Sequence, residues 1–252
     1  TILICTPEKL SYIIHHQVDF LDEIGLYIFD ESHMFDDGSR GTAYELLISE
    51  IRKHINAEKQ IVLLSAVLSN AEQIKQWLFN ENGTLASDPA IKTTPKSIGF
   101  SSQTRDIHYY SEDPEREDFY VPRSIEVNLL KKLGRERKKR YFPNLTDPKD
   151  IAIYYANKLC KNGGAAIFAN RTRSVQTIIQ QIIDLDSREY DLSGIQKYSN
   201  TLEMNRIAKL MADYYGCDHL YTKACLLGVA PHYSNLPNGL RLAIEYAFRK
   251  KD

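Results

Sequence analysis

Three short apolar runs, each closed by small or polar residues, constrain the fold of this 252-residue chain more than any other feature. They span residues 2–5, 26–29 and 61–64. Apolar runs of this length are typical of parallel strands that are buried on both faces. Stretches with helical periodicity lie beside them, at residues 8–16, 43–54 and 71–79. Strands and helices that alternate at this spacing predict a doubly wound α/β fold with a parallel sheet.

The regular pattern stops near residue 96 and resumes near residue 149. Helical periodicity returns at residues 149–161 and 174–183, with an apolar run at residues 165–169 between them. The intervening segment is irregular, although residues 107–110 indicate some β structure. We therefore expect a first α/β unit at residues 1–96, a connector with its own small structure at residues 97–148, and the beginning of a second α/β unit at residues 149–252.

The composition is that of an ordinary globular protein. The formal net charge is -1, so no basic excess indicates a nucleic-acid partner. The four cysteines form no C-x-x-C pair, and neither a secretory segment nor an apolar run long enough for a bilayer is present, which predicts a cytoplasmic protein without a membrane contact. Because the chain begins with Thr1 and an apolar run follows at once, we expect that it starts inside a longer protein.

Two adjacent carboxylates, Asp30 and Glu31, follow the second apolar run. Carboxylates at the end of a buried strand are costly unless a cation or strong donors meet them. In phosphoryl-transfer ATPases, the Asp of such a pair holds Mg²⁺, and the Glu orients and deprotonates the attacking water. An acidic pair that caps a loop is the commoner explanation when nothing else supports the chemistry, so the assignment depends on the rest of the sequence.

Four further elements accompany the acidic pair in a fixed order. They lie at residues 5–10, 63–70, 167–174 and 228–237. In the first, Thr6 closes a run and Pro7 stands at a first helical position, where free backbone amides can hold a phosphate. Each element alone is an ordinary strand end or turn, but five elements in this order form a strong pattern.

In this order, the five elements resemble the motifs of superfamily 2 helicases of the DExH type, closest in pattern to the Ski2-like group. Residues 6–8 match motif Ib, residues 30–33 motif II, and residues 65–67 motif III. Residues 168–173 resemble motif IV, and residues 232–236 resemble the His-His-Ala-Gly-Leu element of Ski2-like proteins. The resemblance covers nearly the whole chain except the connector.

The resemblance implies a fold made of parts of two RecA-like domains. Residues 1–96 correspond to the C-terminal half of the first, ATP-binding domain, and residues 149–252 to the N-terminal part of the second. Helicases of this type bind ATP between the two domains and the nucleic-acid strand across their tops.

The family also implies a role for each matching residue, with ATP and Mg²⁺ as cofactors. Asp30 is implied to hold Mg²⁺ through water, and Glu31 to act as the general base. The residues implied to couple the nucleotide state to strand binding are His33, Ser65 and Ala66. The residues implied to contact the strand are Thr6, Pro7, Asn170, Arg171 and His232.

The sequence also departs from the family pattern. Val67 stands where motif III usually has Thr, which removes a hydroxyl. No glycine of the chain is followed by lysine, so the phosphate loop is absent, and the motifs V and VI with the arginine finger are not matched. We therefore expect this chain alone to have no ATPase activity and to need the remainder of its own protein.

The function that the resemblance implies is that of an ATP-dependent helicase or translocase acting on single- or double-stranded DNA or RNA. One alternative is a RecA-like scaffold that has lost its ATPase function. A second is a duplex-DNA translocase subunit of a defence or restriction complex, with an accessory or nuclease subunit as its partner. The sequence alone does not decide between DNA and RNA.

Two patterns in the connector each have two explanations. The strongly basic run at residues 131–140 either follows the phosphates of a nucleic acid or forms a solvated linker helix. The aromatic residues Tyr109, Tyr110, Phe119 and Tyr120 either stack on bases or are buried within the connector.

Overall fold

The computed structural model describes residues 2–36, 38–54, 56, 59–65, 70–87, 97–110 and 119–249. The chain divides into two compact units, Thr1–Thr93 and Thr94–Asp252. The predicted connector therefore lies within the second unit, and each unit is described by itself below.

The first unit combines three helices with two parallel strands. The helices are α1 (Pro7–His16), α2 (Gly38–Lys53) and α3 (Ala71–Phe79), and the strands are β1 (Leu26–Phe29) and β2 (Gln60–Leu63). Short 3-10 turns occupy Val18–Glu23, Ser32–Asp36 and Asn80–Asn82. β1 and β2 pair in parallel, with Phe29 beside Leu63. The α/β class predicted from the sequence is confirmed here.

The core of the first unit lies on one face of this sheet. Tyr27 and Phe29 of β1 are buried together with the inward side chains of the helices, whereas Leu26 and Ile28 on the opposite face are exposed. The expectation of strands buried on both faces is therefore wrong for β1. The described helices of this unit cover a single face, so alternate residues of the strand remain open to solvent.

Residues 2–5 are not a strand, contrary to the prediction. Ile2 is 89% exposed and Ile4 is 92% exposed. An apolar run shows that a segment prefers burial, but a strand also needs a hydrogen-bonded neighbour. Within the part of the chain that the structure describes, no strand pairs with residues 2–5.

The second unit contains two small antiparallel sheets and six helices among its described residues. One sheet has the order β3 (Ile98–Ser101), β4 (Ile107–Tyr110), β5 (Phe119–Val121), and the other pairs β6 (Asn128–Leu129) with β7 (Tyr141–Phe142). The helices are α4 (Pro148–Leu159), α5 (Thr172–Ser187), α6 (Ser193–Tyr198), α7 (Thr201–Tyr215), α8 (Leu220–Leu226) and α9 (Asn238–Arg249), and a 3-10 turn at Cys160–Asn162 follows α4. The predicted β structure at residues 107–110 is confirmed.

Residues of the predicted connector contribute to the core of the second unit. Ile125, Leu130 and Phe142 belong to the same buried cluster as Ile153 of α4 and Ile178 of α5. The connector is therefore packed against the helices that follow it. The limits at residues 96 and 148 remain predictions.

Two expectations for the second unit are wrong. Residues 165–169 form no strand, and Phe168 is 93% exposed. The reason is the same as for residues 2–5, since none of the described strands lies beside them. Burial of the connector aromatics also fails for Tyr110, Phe119 and Tyr120, each at least 50% exposed. A search of the described residues finds no helix with the length and apolarity needed to span a bilayer.

Candidate functional site

The start of α1 carries Thr6 and Pro7. The Thr6 hydroxyl accepts a hydrogen bond from the Lys9 amide at 3.3 Å, and Pro7 is the first helical residue. The Glu8 carboxylate accepts from its own amide and from Arg40 of α2, at 2.9 Å, and these bonds hold the pKa of Glu8 below its usual range. Because side chains of the protein already engage the Glu8 and Lys9 amides, the free amides expected at this helix start are not available.

Backbone hydrogen bonds continue between the two chain segments past the carboxyl ends of β1 and β2. The Leu64 amide donates to the Phe29 carbonyl at 2.8 Å, and the Ser32 amide donates to the Leu64 carbonyl at 2.9 Å. Asp30 and Ser65 therefore follow the carboxyl ends of two neighbouring parallel strands. This edge is where open α/β sheets bind their ligands.

The acidic pair is exposed rather than buried. The Glu31 amide donates to Asp30 Oδ1 at 2.9 Å, and Glu31 Oε2 lies 3.1 Å from His33 Nδ1. The side chains of His33 and Glu31 are 50% and 62% exposed. The desolvation cost on which the sequence argument relied is therefore absent. Two accessible carboxylates at the strand edge remain open to a hydrated cation.

Glu31 has an unusual backbone conformation. Its φ is 55°, in the left-handed region that side chains other than glycine rarely adopt. Such a conformation costs about 1–3 kcal/mol and persists only where the surrounding structure imposes it. The next residue, Ser32, is held by hydrogen bonds to Phe29 and Leu64, which stabilise this conformation of Glu31. In the same turn, the Glu31 carboxylate lies beside His33.

Ser32 is a residue whose importance the sequence analysis missed. Its side chain is buried, and its hydroxyl donates to the Phe29 carbonyl at 3.1 Å. Together with the hydrogen bond from the Ser32 amide to the Leu64 carbonyl, this contact connects the turn after β1 to the end of β2. A small hydroxyl residue directly after an acidic pair was the available signal, since a hydroxyl there can bond back to the preceding strand.

The turn that carries His33 packs tightly on α2 at Gly41. A Cβ atom built on Gly41 would lie 2.5 Å from the Phe35 carbonyl oxygen and 2.8 Å from that of Met34. We expect Gly41→Ala to lower the free energy of unfolding by about 1–3 kcal/mol, because backbone atoms cannot move aside as a flexible side chain can. Urea unfolding followed by circular dichroism measures this change.

Gly25→Ala is the matched control, because no atom lies within 4 Å of a Cβ built at that position. Gly25 precedes β1 in the same unit, and we expect its substitution to change stability by less than about 0.5 kcal/mol. Equal losses in the two variants would contradict the packing described here.

The candidate residues of the second unit lie at two places. Asn170 and Arg171 are exposed and immediately precede α5, where Arg171 is the N-cap without a side-chain cap bond. His232 Nε2 lies 2.9 Å from Glu245 Oε1 of α9, and this contact lowers the pKa of Glu245. The partner Glu245 was not predicted. Ala66 of the first unit lies outside the described residues.

Comparison with known proteins shows similarity to helicases. Residues 1–74 match the family model of the DEAD/DEAH box helicases, a span that includes the acidic pair, His33 and Ser65. The chain is also 26% identical to the ATP-dependent DNA helicase Hel308 of Methanococcus vannielii, over 99% of this chain and 29% of that protein. The first 74 residues of this chain thus match the DEAD/DEAH box helicases, and nearly the whole chain is similar to Hel308.

The chain is also similar to other proteins, over different lengths. It is 26% identical to the Hachiman protein HamB of Bacillus cereus, over 97% of this chain and 22% of that protein. It is 38% identical to Hel308 of Thermoplasma acidophilum, over 30% of this chain and 11% of that protein. The chain spans less than a third of the length of these relatives. The resemblance identified from the motifs is confirmed.

The side chains at this strand edge fit a weakly held metal ion. Among the described residues, no three His, Cys, Asp or Glu side chains converge on one point that could hold an ion. Mg²⁺ needs no such cage, because it usually keeps several waters and binds one or two carboxylates together with substrate phosphates. An exposed Asp30 carboxylate at the strand edge suits this mode of binding.

Proposed function

We propose that this helicase chain is part of an ATP-driven motor that moves along DNA or unwinds it. The observation that carries the proposal is the joined edge of β1 and β2, where Asp30 and Ser65 follow paired parallel strands. In motors of this type, residues after neighbouring strands act on the nucleotide and transmit its state. The whole motor includes more than this chain, since the relatives are several times longer.

In the proposed reaction, Asp30 would hold Mg²⁺, and Glu31 would take a proton from the attacking water. Mg²⁺ bound with ATP supplies positive charge that offsets the charge on the transferring phosphate. The 3.1 Å contact with His33 supports the assignment of Glu31, because it fixes the carboxylate in one direction. A base held in position loses less entropy when the substrate binds.

Communication between nucleotide and strand is proposed to pass through His33, Ser65 and Ala66. The turn that contains His33 is linked to β2 by a hydrogen bond from the Ser32 amide to the carbonyl of Leu64, the residue before Ser65. A shift of the Glu31–His33 pair on hydrolysis therefore reaches the end of β2 through two residues and one hydrogen bond. This short path makes Ser65 a suitable coupler despite the valine at position 67.

The proposed contacts with the strand involve both units. In the first unit, the strand is contacted by Thr6 and Pro7. In the second unit, it is contacted by Asn170, Arg171 and His232. The exposed guanidinium of Arg171 suits phosphate oxygens, which it can bind through two parallel N–H donors. We infer DNA as the nucleic acid because two of the relatives are named ATP-dependent DNA helicases.

Asp30→Asn tests the metal role in the full-length protein that carries this chain. We expect the affinity for ATP in the presence of Mg²⁺ to fall at least about tenfold, because the charge that attracts the hydrated ion is removed. Titration calorimetry with and without Mg²⁺ measures the change. Asp19→Asn, an exposed acid in the same unit, is the control. Normal Mg²⁺-dependent binding by Asp30→Asn would rule out this role.

A further inference from the structure

The basic run at residues 131–140 is a hairpin loop in the structure. Its ends are held by β6 and β7, which pair Leu129 with Tyr141, and by a 2.8 Å bond from the Leu130 amide to the Arg140 carbonyl. We call residues 131–140 the cationic loop. The alternative of a linker helix is therefore wrong, because β pairing on both sides closes the segment into a hairpin.

The cationic loop concentrates positive charge in a chain that is almost neutral. It contains seven Lys or Arg residues and one carboxylate, that of Glu136, whereas the whole chain has a formal net charge of -1. Glu136 is itself neutralised by Arg188, whose guanidinium donates to both carboxylate oxygens at 2.7 and 2.8 Å. These bonds lower the pKa of Glu136 to about 2. The carboxylate therefore does not offset the outward charge of the loop.

Arg188 also fixes the loop to the body of the second unit. Its side chain is 2% exposed, and it donates to Asp184 of α5 at 2.8 Å and to the Lys131 carbonyl at 2.9 Å. Arg140 pairs with the same Asp184 at 3.2 Å. The base of the loop is thus ordered before any ligand arrives, which lowers the entropy lost on binding.

Four cations of the loop take no part in this anchor. Arg135, Arg137, Lys138 and Lys139 are exposed, and no carboxylate in the described part of the chain lies within 4.0 Å of their charged atoms. Lys131 and Arg140, in contrast, are paired with Glu189 and Asp184. The outer side of the loop is therefore an unbalanced positive surface.

The neighbouring groove between β6, α4 and α6 has fewer unpaired cations. Its lining contains five cations and three carboxylates, the residues being Lys131, Lys158, Lys161, Arg188 and Lys197 against Glu126, Glu189 and Asp191. Two of these cations, Lys131 and Arg188, are already paired with carboxylates. Lys158 and Lys197 also lie over the rings of Tyr154 and Tyr198, at 4.7 and 5.5 Å from the ring centres. The loop itself, and not this groove, is the stronger candidate for binding a polyanion.

We propose that the cationic loop binds the phosphate backbone of duplex nucleic acid, as a contact separate from the motif residues. The inference rests on the proposed function, which brings a nucleic acid to the protein. A duplex carries one negative charge per about 1.7 Å of its axis, twice the density of one strand. No residue of the loop is aromatic, so it has no ring to stack on an unpaired base. Charge density is what it recognises, and this favours the duplex.

The experiment measures binding of the full-length protein that carries this chain to a short fluorescent DNA duplex and to one of its strands. The test variant replaces four residues: Arg135→Gln, Arg137→Gln, Lys138→Gln and Lys139→Gln. We expect duplex affinity to fall at least about tenfold, and the slope of log K against log salt to become shallower by about 2–4. The affinity for the single strand should fall by a smaller factor.

A control variant removes the same charge elsewhere in the second unit, through Arg206→Gln, Lys209→Gln, Lys223→Gln and Arg249→Gln. We expect it to bind the duplex within about threefold of the unmodified protein, since distant exposed charges are screened. A third variant exchanges Arg for Lys and Lys for Arg within the loop and should keep full binding. Together, these results separate a local contact from an effect of net charge.

Different failures have different meanings. If the unmodified protein binds duplex and the loop variant binds it equally well, the loop proposal is wrong while the proposed function stands. If the unmodified full-length protein binds neither probe at low salt, the proposed function itself fails. If the loop variant keeps duplex binding but loses binding to phosphatidylserine vesicles, the loop recognises a membrane surface and the proposal is overturned.

Discussion

Glu31→Gln in the full-length protein will bind Mg-ATP but will hydrolyse it about a hundredfold to ten-thousandfold more slowly. This range corresponds to about 3–5 kcal/mol of activation free energy. Gln keeps the shape of the side chain but cannot accept a proton, so the loss falls on the chemical step. If hydrolysis normally releases the strand, this variant will also form a long-lived complex with ATP and DNA. Steady-state hydrolysis and nucleotide titration measure the two effects separately.

Glu23→Gln is the control for this substitution, because Glu23 is exposed in the same unit and lies outside the candidate site. We expect the Glu23 variant to keep normal turnover. A Glu31 variant that also keeps near-normal turnover would show that another group accepts the proton. A Glu31 variant that loses ATP binding would instead place the side chain among the ligands of the nucleotide.

Arg188→Met will destabilise the second unit by about 3 kcal/mol. Removal of one member of a buried ion pair costs about 3–5 kcal/mol, and the lower end applies because water reaches the carboxylates that remain. Arg188 is 2% exposed, whereas the side chains of Glu136 and Asp184 are 33% and 27% exposed. Chemical denaturation at neutral pH measures the loss. Lys223→Met, which removes an exposed ion pair with Asp218 in the same unit, should cost less than about 1 kcal/mol.

The same network predicts a dependence on pH. The folded-state pKa of Glu136 is about 2, well below its ordinary value of 4.5. A depressed pKa means that this contribution to stability is complete above about pH 4.5 and is lost as the pH falls through about 2. The difference in stability between the original chain and Arg188→Met should therefore be constant near neutral pH and shrink below pH 4.5. A difference that grows in acid would contradict this assignment.

Local patterns were sufficient to predict several elements of the fold. The limits of β1, α3 and β4 agree with the sequence prediction. Each is a short segment bounded by residues that stop a strand or a helix, so the information lies within the segment itself. The parallel sheet was predicted from the alternation of apolar runs with helical stretches, and the structure pairs two of these runs, those before Asp30 and Ser65.

Features that depend on distant residues were not predictable in this way. Residues 2–5 and 165–169 have the composition of strands but lack a paired neighbour among the described residues. The bond between Arg188 and Glu136 joins residues 52 positions apart, and no local pattern marks it. A basic run such as residues 131–140 has no apolar periodicity, so the sequence could not distinguish a helix from a hairpin. The exposure of Glu31 could not be predicted either, because it depends on which distant residues pack over the edge of the sheet.

The most direct test of the proposed motor is the rate of ATP hydrolysis by the full-length protein as DNA is added. A motor that couples the two sites must hydrolyse ATP faster when a strand is bound, because the strand stabilises the state that is competent for hydrolysis. We expect the rate to rise with DNA concentration and to saturate, and we expect Glu31→Gln to abolish the increase. A hydrolysis rate that no strand changes, or the absence of hydrolysis, would contradict the proposal and favour a RecA-like scaffold.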